Sequence, residues 1–188
     1  MTTLSPLSRT KENESIVRMD GHTSMVLYHP GGAAMDKAEE LRQQAADCGA
    51  DVIDWDFGSD RIKGMYCNGV IAISKNLKDS TEQACVLAEE IGHHLTASGN
   101  ILDQHQVENR KQELKGRAWA YDRLIGLDGI VRAHDAGCQS RYEAAEYLCV
   151  SEGTLQDAID YYHEKYGLYV KVGRHTIYFE PLGVMEMR

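Results

Sequence analysis

Two short apolar runs on either side of Asn68-Gly69 constrain this chain more than any other stretch. Ile62-Lys63-Gly64-Met65-Tyr66-Cys67 precedes the pair and Val70-Ile71-Ala72-Ile73-Ser74 follows it. Asn-Gly tolerates the positive φ angles that a two-residue turn imposes, so the segment predicts a β-hairpin. Val52, Ile53, Trp55 and Phe57 predict one more short strand ahead of it. On both sides of these strands the period changes. Asp36 to Asp47 carries Ala38, Leu41, Ala45 and Ala46 at helical spacing, with Gly49 placed to end the helix. After the hairpin, Ala84, Leu87, Ala88, Ile91 and Leu95 recur every three or four residues. They make the apolar stripe of another helix, which Ser80-Thr81-Glu82-Gln83 is suited to cap. Helices and a small sheet in this order predict an α+β fold.

The polar side of that helix carries chemistry. Glu89 and His93 are four residues apart, hence neighbours on one face, and Glu90 is one step round. The spacing is that of the zinc-protease motif H-E-x-x-H, with Glu89 in the place of the first histidine. Zinc takes carboxylate oxygen as well as imidazole nitrogen, so Glu89 and His93 can each offer one ligand. Glu90 then stays off the metal and serves as general base toward water. A rival register pairs Glu90 with His94, but it leaves Ile91 where the base should be. On spacing alone, an acidic helix face with a solvated histidine accounts for the same residues. A site here needs one more ligand. A helix over about 107–127 offers Glu113, and Asp103, His105 and Glu108 are close behind on chemistry alone. Strands leading directly into a metal helix are the usual zincin arrangement, in which an edge strand holds an extended peptide beside the metal.

Composition narrows the partners. A formal net charge of −9 over 188 residues argues against nucleic-acid or anionic-membrane binding, which need clustered Lys and Arg. No apolar run approaches the roughly 20 residues of a membrane span, and no signal-peptide core opens the chain. The five cysteines, Cys48, Cys67, Cys85, Cys138 and Cys149, are scattered and form no C-x-x-C pair. They read as reduced, buried thiols of a cytoplasmic protein. Residues 1–34 are polar and aperiodic, and read as a flexible leader.

The last third has another pattern. Gly129 to Ala136 predicts a short helix and Gly137-Cys138 a turn. Arg141 to Ile159 has the helix-turn-helix outline, with Ala145 in the first helix, a tight turn at Cys149-Val150-Ser151, and Leu155 and Ile159 in the second. Leu168 to Val172, Gly173-Arg174 and Thr176 to Phe179 then predict a hairpin, which completes a winged-helix-like outline. The would-be recognition helix starts Ser151-Glu152-Gly153-Thr154-Leu155-Gln156-Asp157, with two acids and no Lys or Arg. That composition favours a structural or protein-docking unit over a DNA reader.

Several of these stretches, taken in order, resemble one family. They are Ile62 to Tyr66, Ile71 to Ile73, Leu87-Ala88-Glu89-Glu90-Ile91-Gly92-His93-His94, Asn109 to Glu113, and Arg117-Ala118-Trp119-Ala120. The chain is similar over roughly residues 35–165 to the ImmA/IrrE metallopeptidases, most of all to the phage and mobile-element members that antagonise repressors. The resemblance implies a compact zincin-like metallopeptidase core over 35–127, followed by the helix-turn-helix or winged-helix-like module that the residue pattern predicts over 128–188. It implies Glu90 as the catalytic glutamate, and Glu89, His93 and Glu113 as ligands of one zinc ion. Two carboxylates and one imidazole make a harder, more oxygen-rich set than two imidazoles and one carboxylate, which suits other divalent ions as well. The implied activity is metal-dependent cleavage of a helix-turn-helix repressor of a phage or mobile element. The alternative is a non-catalytic antirepressor that sequesters the repressor.

Overall fold

The computed structural model describes residues 36–96 and 106–187, the side chains of 106–110 excepted. The leader expected over 1–34 lies outside them. The first helix, α1 (Lys37–Asp47), is capped by Asp36, whose side chain accepts from the Ala38 N–H at 3.2 Å. Gly49, at φ +83°, lets the chain turn back into β1 (Asp51–Trp55). The expected hairpin follows as β2 (Gly64–Cys67) and β3 (Val70–Ser74). Asn68 and Gly69 both have positive φ, +47° and +84°, as a two-residue primed turn requires. In sheet order β1-β3-β2, the central β3 runs parallel to β1 and antiparallel to β2. Ile71 and Ile73 of β3 point into the core, and β1 and β2 are the edges.

Helix α2 (Ser80–Thr96) follows the sheet. Its cap is Asp79, one residue earlier than expected. The Asp79 carboxylate accepts from the N–H groups of Thr81 and Glu82, while the Ser80 hydroxyl turns to Asp36. Ala84, Leu87, Ala88 and Ile91 form the buried stripe. Leu95, near the helix end, is exposed, and Gly92 is buried in the continuation of that stripe.

The helix expected to run to Leu127 divides into α3 (Gln106–Leu124) and α4 (Gly126–Asp135). Gly126, at φ +61°, makes the break. The pair α5 (Arg141–Leu148) and α6 (Glu152–Tyr166) comes next. Ser140 and Glu143 form a capping box on α5, Cys149 turns the chain at φ +54°, and Ser151 caps α6. The expected C-terminal hairpin appears as β4 (Tyr169–Val172) and β5 (His175–Phe179), turning at Gly173 with φ +58°. A further strand, β6 (Leu182–Glu186), pairs with β5 and makes this an antiparallel sheet of three. Leu182-Gly183-Val184-Met185-Glu186 has too little alternation, and a glycine inside it, to announce a strand.

One contiguous cluster of buried side chains runs from Ala38 of α1 to Phe179 of β5. Tyr162 of α6 is fully buried within it, and its hydroxyl donates to Asp122 of α3 at 3.0 Å. Lys37 reaches the carbonyls of Leu124 and Leu148 at 3.2 and 3.5 Å, so α1 ties down the C-terminal ends of α3 and α5. The five thiols are free as expected, but none is buried. Cys48, Cys67 and Cys149 are exposed, and Cys85 and Cys138 half-buried. Each apolar neighbourhood in sequence proved to lie at an element end or a helix edge. Among the described residues no helix is long and apolar enough to cross a membrane.

Candidate metal centre

The site stands on a seam where two helix backbones touch. A Cβ on Gly92 of α2 would lie 2.2 Å from the Gly116 carbonyl oxygen of α3. A Cβ on Gly116 would lie 2.7 Å from His93 Nδ1. Any larger residue at either position would push the helices apart, because interiors are already close-packed. His93 follows Gly92 directly, and Glu113 precedes Gly116 by about one turn. The glycine contact therefore sets one against the other.

Glu89, His93 and Glu113 each present a ligand atom, all within 4.8 Å of one another. His93 Nε2 and Glu113 Oε2 are 3.5 Å apart. That is close to the edge of a tetrahedron of zinc ligands, about 3.3 Å for bonds of 2.0–2.1 Å. One imidazole and two carboxylates, half-buried at a helix seam, fit a divalent cation in chemistry and in spacing. Arg117, one turn beyond Glu113, adds a guanidinium. Its Nε is 3.1 Å from Glu89 Oε1 and its second terminal nitrogen 3.0 Å from Glu113 Oε1. Burial works against the charge on Arg117, but Glu89 and Glu113 outweigh it and hold its pKa above the ordinary value.

Glu90 faces another way, toward β2. Its Oε1 would be 2.9 Å from a Cβ on Gly64, and Val86 Cγ1 would be closer still at 2.5 Å. Only glycine lets the strand lie this near the helix. Burial pushes the Glu90 carboxyl up to about 7, helped by the charges of Glu89 and Glu113, while a backbone hydrogen bond from Tyr66 opposes the rise. A carboxyl that titrates near neutrality can both take and return a proton.

The neighbouring histidine does structural work. His94 Nε2 lies 3.0 Å from the Cys48 carbonyl, which can only accept, so Nε2 carries the proton. Nδ1 then accepts from the Tyr66 hydroxyl at 3.2 Å, and that oxygen accepts from the Gly69 N–H at 3.2 Å. The rival register of Glu90 with His94 is thereby taken up in joining α2 to the end of α1 and to the hairpin turn. Of the other third-ligand candidates, Asp103 and His105 lie outside the described residues, as does the side chain of Glu108. Sequence reasoning assigned no role to Arg117, Gly64 or the Gly92–Gly116 pair. The available signal for Arg117 was its position four residues after Glu113, where an ion pair forms within one helix.

A sequence model of the family described as the IrrE N-terminal-like domain, a peptidase family, matches residues 45–160. That span holds β1 to β3, α2, Glu113 and most of α6. No curated protein and no solved structure matches the chain.

Proposed function

This chain belongs to the ImmA/IrrE family of metallopeptidases, and from that premise we propose that it is a zinc-dependent endopeptidase acting on a helix-turn-helix repressor of a phage or mobile element. The observation that carries the reading is the convergence of Glu89, His93 and Glu113 across the α2–α3 seam, with Glu90 beside them on the same helix. Glu89, His93 and Glu113 are the proposed ligands. A divalent ion held there supplies Lewis-acid chemistry, acidifying water and polarising a peptide carbonyl. Glu90 takes the proton from the attacking water and returns it to the leaving amine. β2 is a sheet edge, so an extended peptide can add to it as a further strand, and Gly64 keeps that edge close to Glu90.

The segment after α3 is proposed as the docking part, with a winged-helix-like outline. Tyr142, Tyr147, Leu168, Tyr169 and Met185 are large, apolar or aromatic, and exposed there. A DNA-binding repressor carries a basic face, which complements a chain of net charge −9.

The test is incubation of purified protein, zinc and repressor, read by mass spectrometry of fragments, for wild type beside Glu90→Gln. Wild type should cut one peptide bond. Glu90→Gln should bind the same amount of metal and cut at least about 100-fold more slowly, the lower bound for a lost general base. Glutamate in place of the first histidine favours a second reading, sequestration without cleavage. Relief of repression that leaves the repressor intact, unchanged in Glu90→Gln, would establish that one instead.

A further inference from the structure

A glutamate at the first ligand position creates a difficulty that a histidine does not. Glu89 and Glu113 bring two carboxylates to one side of His93, with ligand atoms within 4.8 Å of one another. A carboxylate also has two oxygens and a freely turning end. The E-E-x-x-H spacing makes Glu89 and His93 neighbours but leaves the rotation of the Glu89 carboxylate unset. Among the described residues, Arg117 makes ion pairs with both Glu89 and Glu113. Its fork takes Oε1 of each. The other oxygen of Glu113, Oε2, is the one 3.5 Å from His93 Nε2. The clamp therefore holds one oxygen of each carboxylate on the guanidinium, and in Glu113 the other oxygen faces His93.

Resting on the metallopeptidase reading, we propose that Arg117 is the positioning residue that makes a glutamate workable as the first metal ligand. It fixes the rotation of both carboxylates and offsets their added charge. Outer-sphere partners of this kind are worth about 10- to 100-fold in metal affinity. Two planar hydrogen-bonding edges are required, so lysine, a point charge, is an incomplete substitute. A direct repulsion between guanidinium and metal works in the opposite sense. Arg117 sits on the Oε1 side of Glu113, away from His93, which lets the orienting effect dominate. A neutral imidazole at position 89 would not accept from Arg117 in this way, so E89H removes the part of the dependence that runs through Glu89 and keeps the part that runs through Glu113.

The experiment measures zinc affinity of the full chain by competition with a chromophoric chelator, for wild type, R117A, R117K, E89H and the E89H/R117A double variant. Thermal melting without metal serves as the check on folding. We expect R117A to bind zinc about 10- to 100-fold more weakly than wild type and R117K to recover part of the loss. In the E89H background Arg117 still pairs with Glu113, so its removal should cost a clearly smaller factor than in wild type, about 10-fold at most. Equal loss in both backgrounds would overturn the proposal, as would R117A binding zinc as well as wild type or better. Should R117A not fold, R117Q keeps the length and the helix propensity and carries the same comparison. Wild type that binds no zinc would instead defeat the metallopeptidase reading itself, so the two failures are distinct.

Discussion

The α2–α3 seam and the α5–α6 pair are both helix pairs, and they differ in how many ionisable side chains meet between the helices. Across the seam, Glu89, His93, Glu113 and Arg117 meet from different helices. In the second pair most polar partners are local. Tyr142 donates to Glu146 at 2.6 Å within α5, Gln156 to Asp160 at 2.7 Å within α6, and Ser140 and Ser151 cap their own helices. Arg141 crosses between the helices, 3.6 Å from Glu152. A single ion pair between two helices leaves no donor over. Charges gathered from two helices leave a surplus of donors at one point, and that surplus is what a ligand can use.

Glycine separates the two pairs most sharply. Replacing Gly92 by alanine drives a Cβ into backbone, the Gly116 carbonyl, which has no side chain to swing away. The expected loss is about 3 kcal/mol or more in denaturant unfolding, together with loss of metal binding. A variant as stable as wild type would mean that something other than this contact sets the seam. The two adjacent histidines come next. His93→Ala should abolish metal binding with little change in the stability of the metal-free protein. His94→Ala should keep the metal and lose about 1–2 kcal/mol, from its bonds to Tyr66 and the Cys48 carbonyl. Metal content measured beside thermal melting separates them, and the reverse pattern would exchange their roles. The smallest effect belongs to α6. A Cβ on Gly153 meets only the Ser151 hydroxyl, at 3.7 Å. Gly153→Ala should therefore stabilise, by about 0.4–1 kcal/mol, and leave metal affinity untouched. Destabilisation there would show that α6 is held as tightly as α2.

What could be read from the sequence was whatever is settled within one element. Asn68-Gly69 dictates a hairpin by its own backbone preference, and Glu89, Glu90 and His93 share helix turns by spacing alone. Glu113 was the best candidate on the second helix, with Asp103, His105 and Glu108 close behind, and its place in a family pattern then singled it out. Arg117 escaped because its significance depends on which face of α3 meets α2, and that is decided by Gly92 and Gly116 acting together. Either glycine alone looks like an ordinary weak point in a helix. The same limit explains the other differences. Gly126 inside an apolar run did not announce a break, β6 became a strand by pairing with β5, and three of the five thiols placed among apolar neighbours are exposed.

The Gly92–Gly116 contact also has a meaning in chain entropy. It holds His93 against Glu113 across a span of about 20 residues, a length over which a covalent cross-link contributes about 3 kcal/mol by restricting the unfolded chain. None of the five cysteines supplies such a link. An ion gripped from both sides of the seam closes that loop as a disulfide would, with the difference that a chelator can open it. With such an ion bound, the stability of the fold would rise with the occupancy of the site.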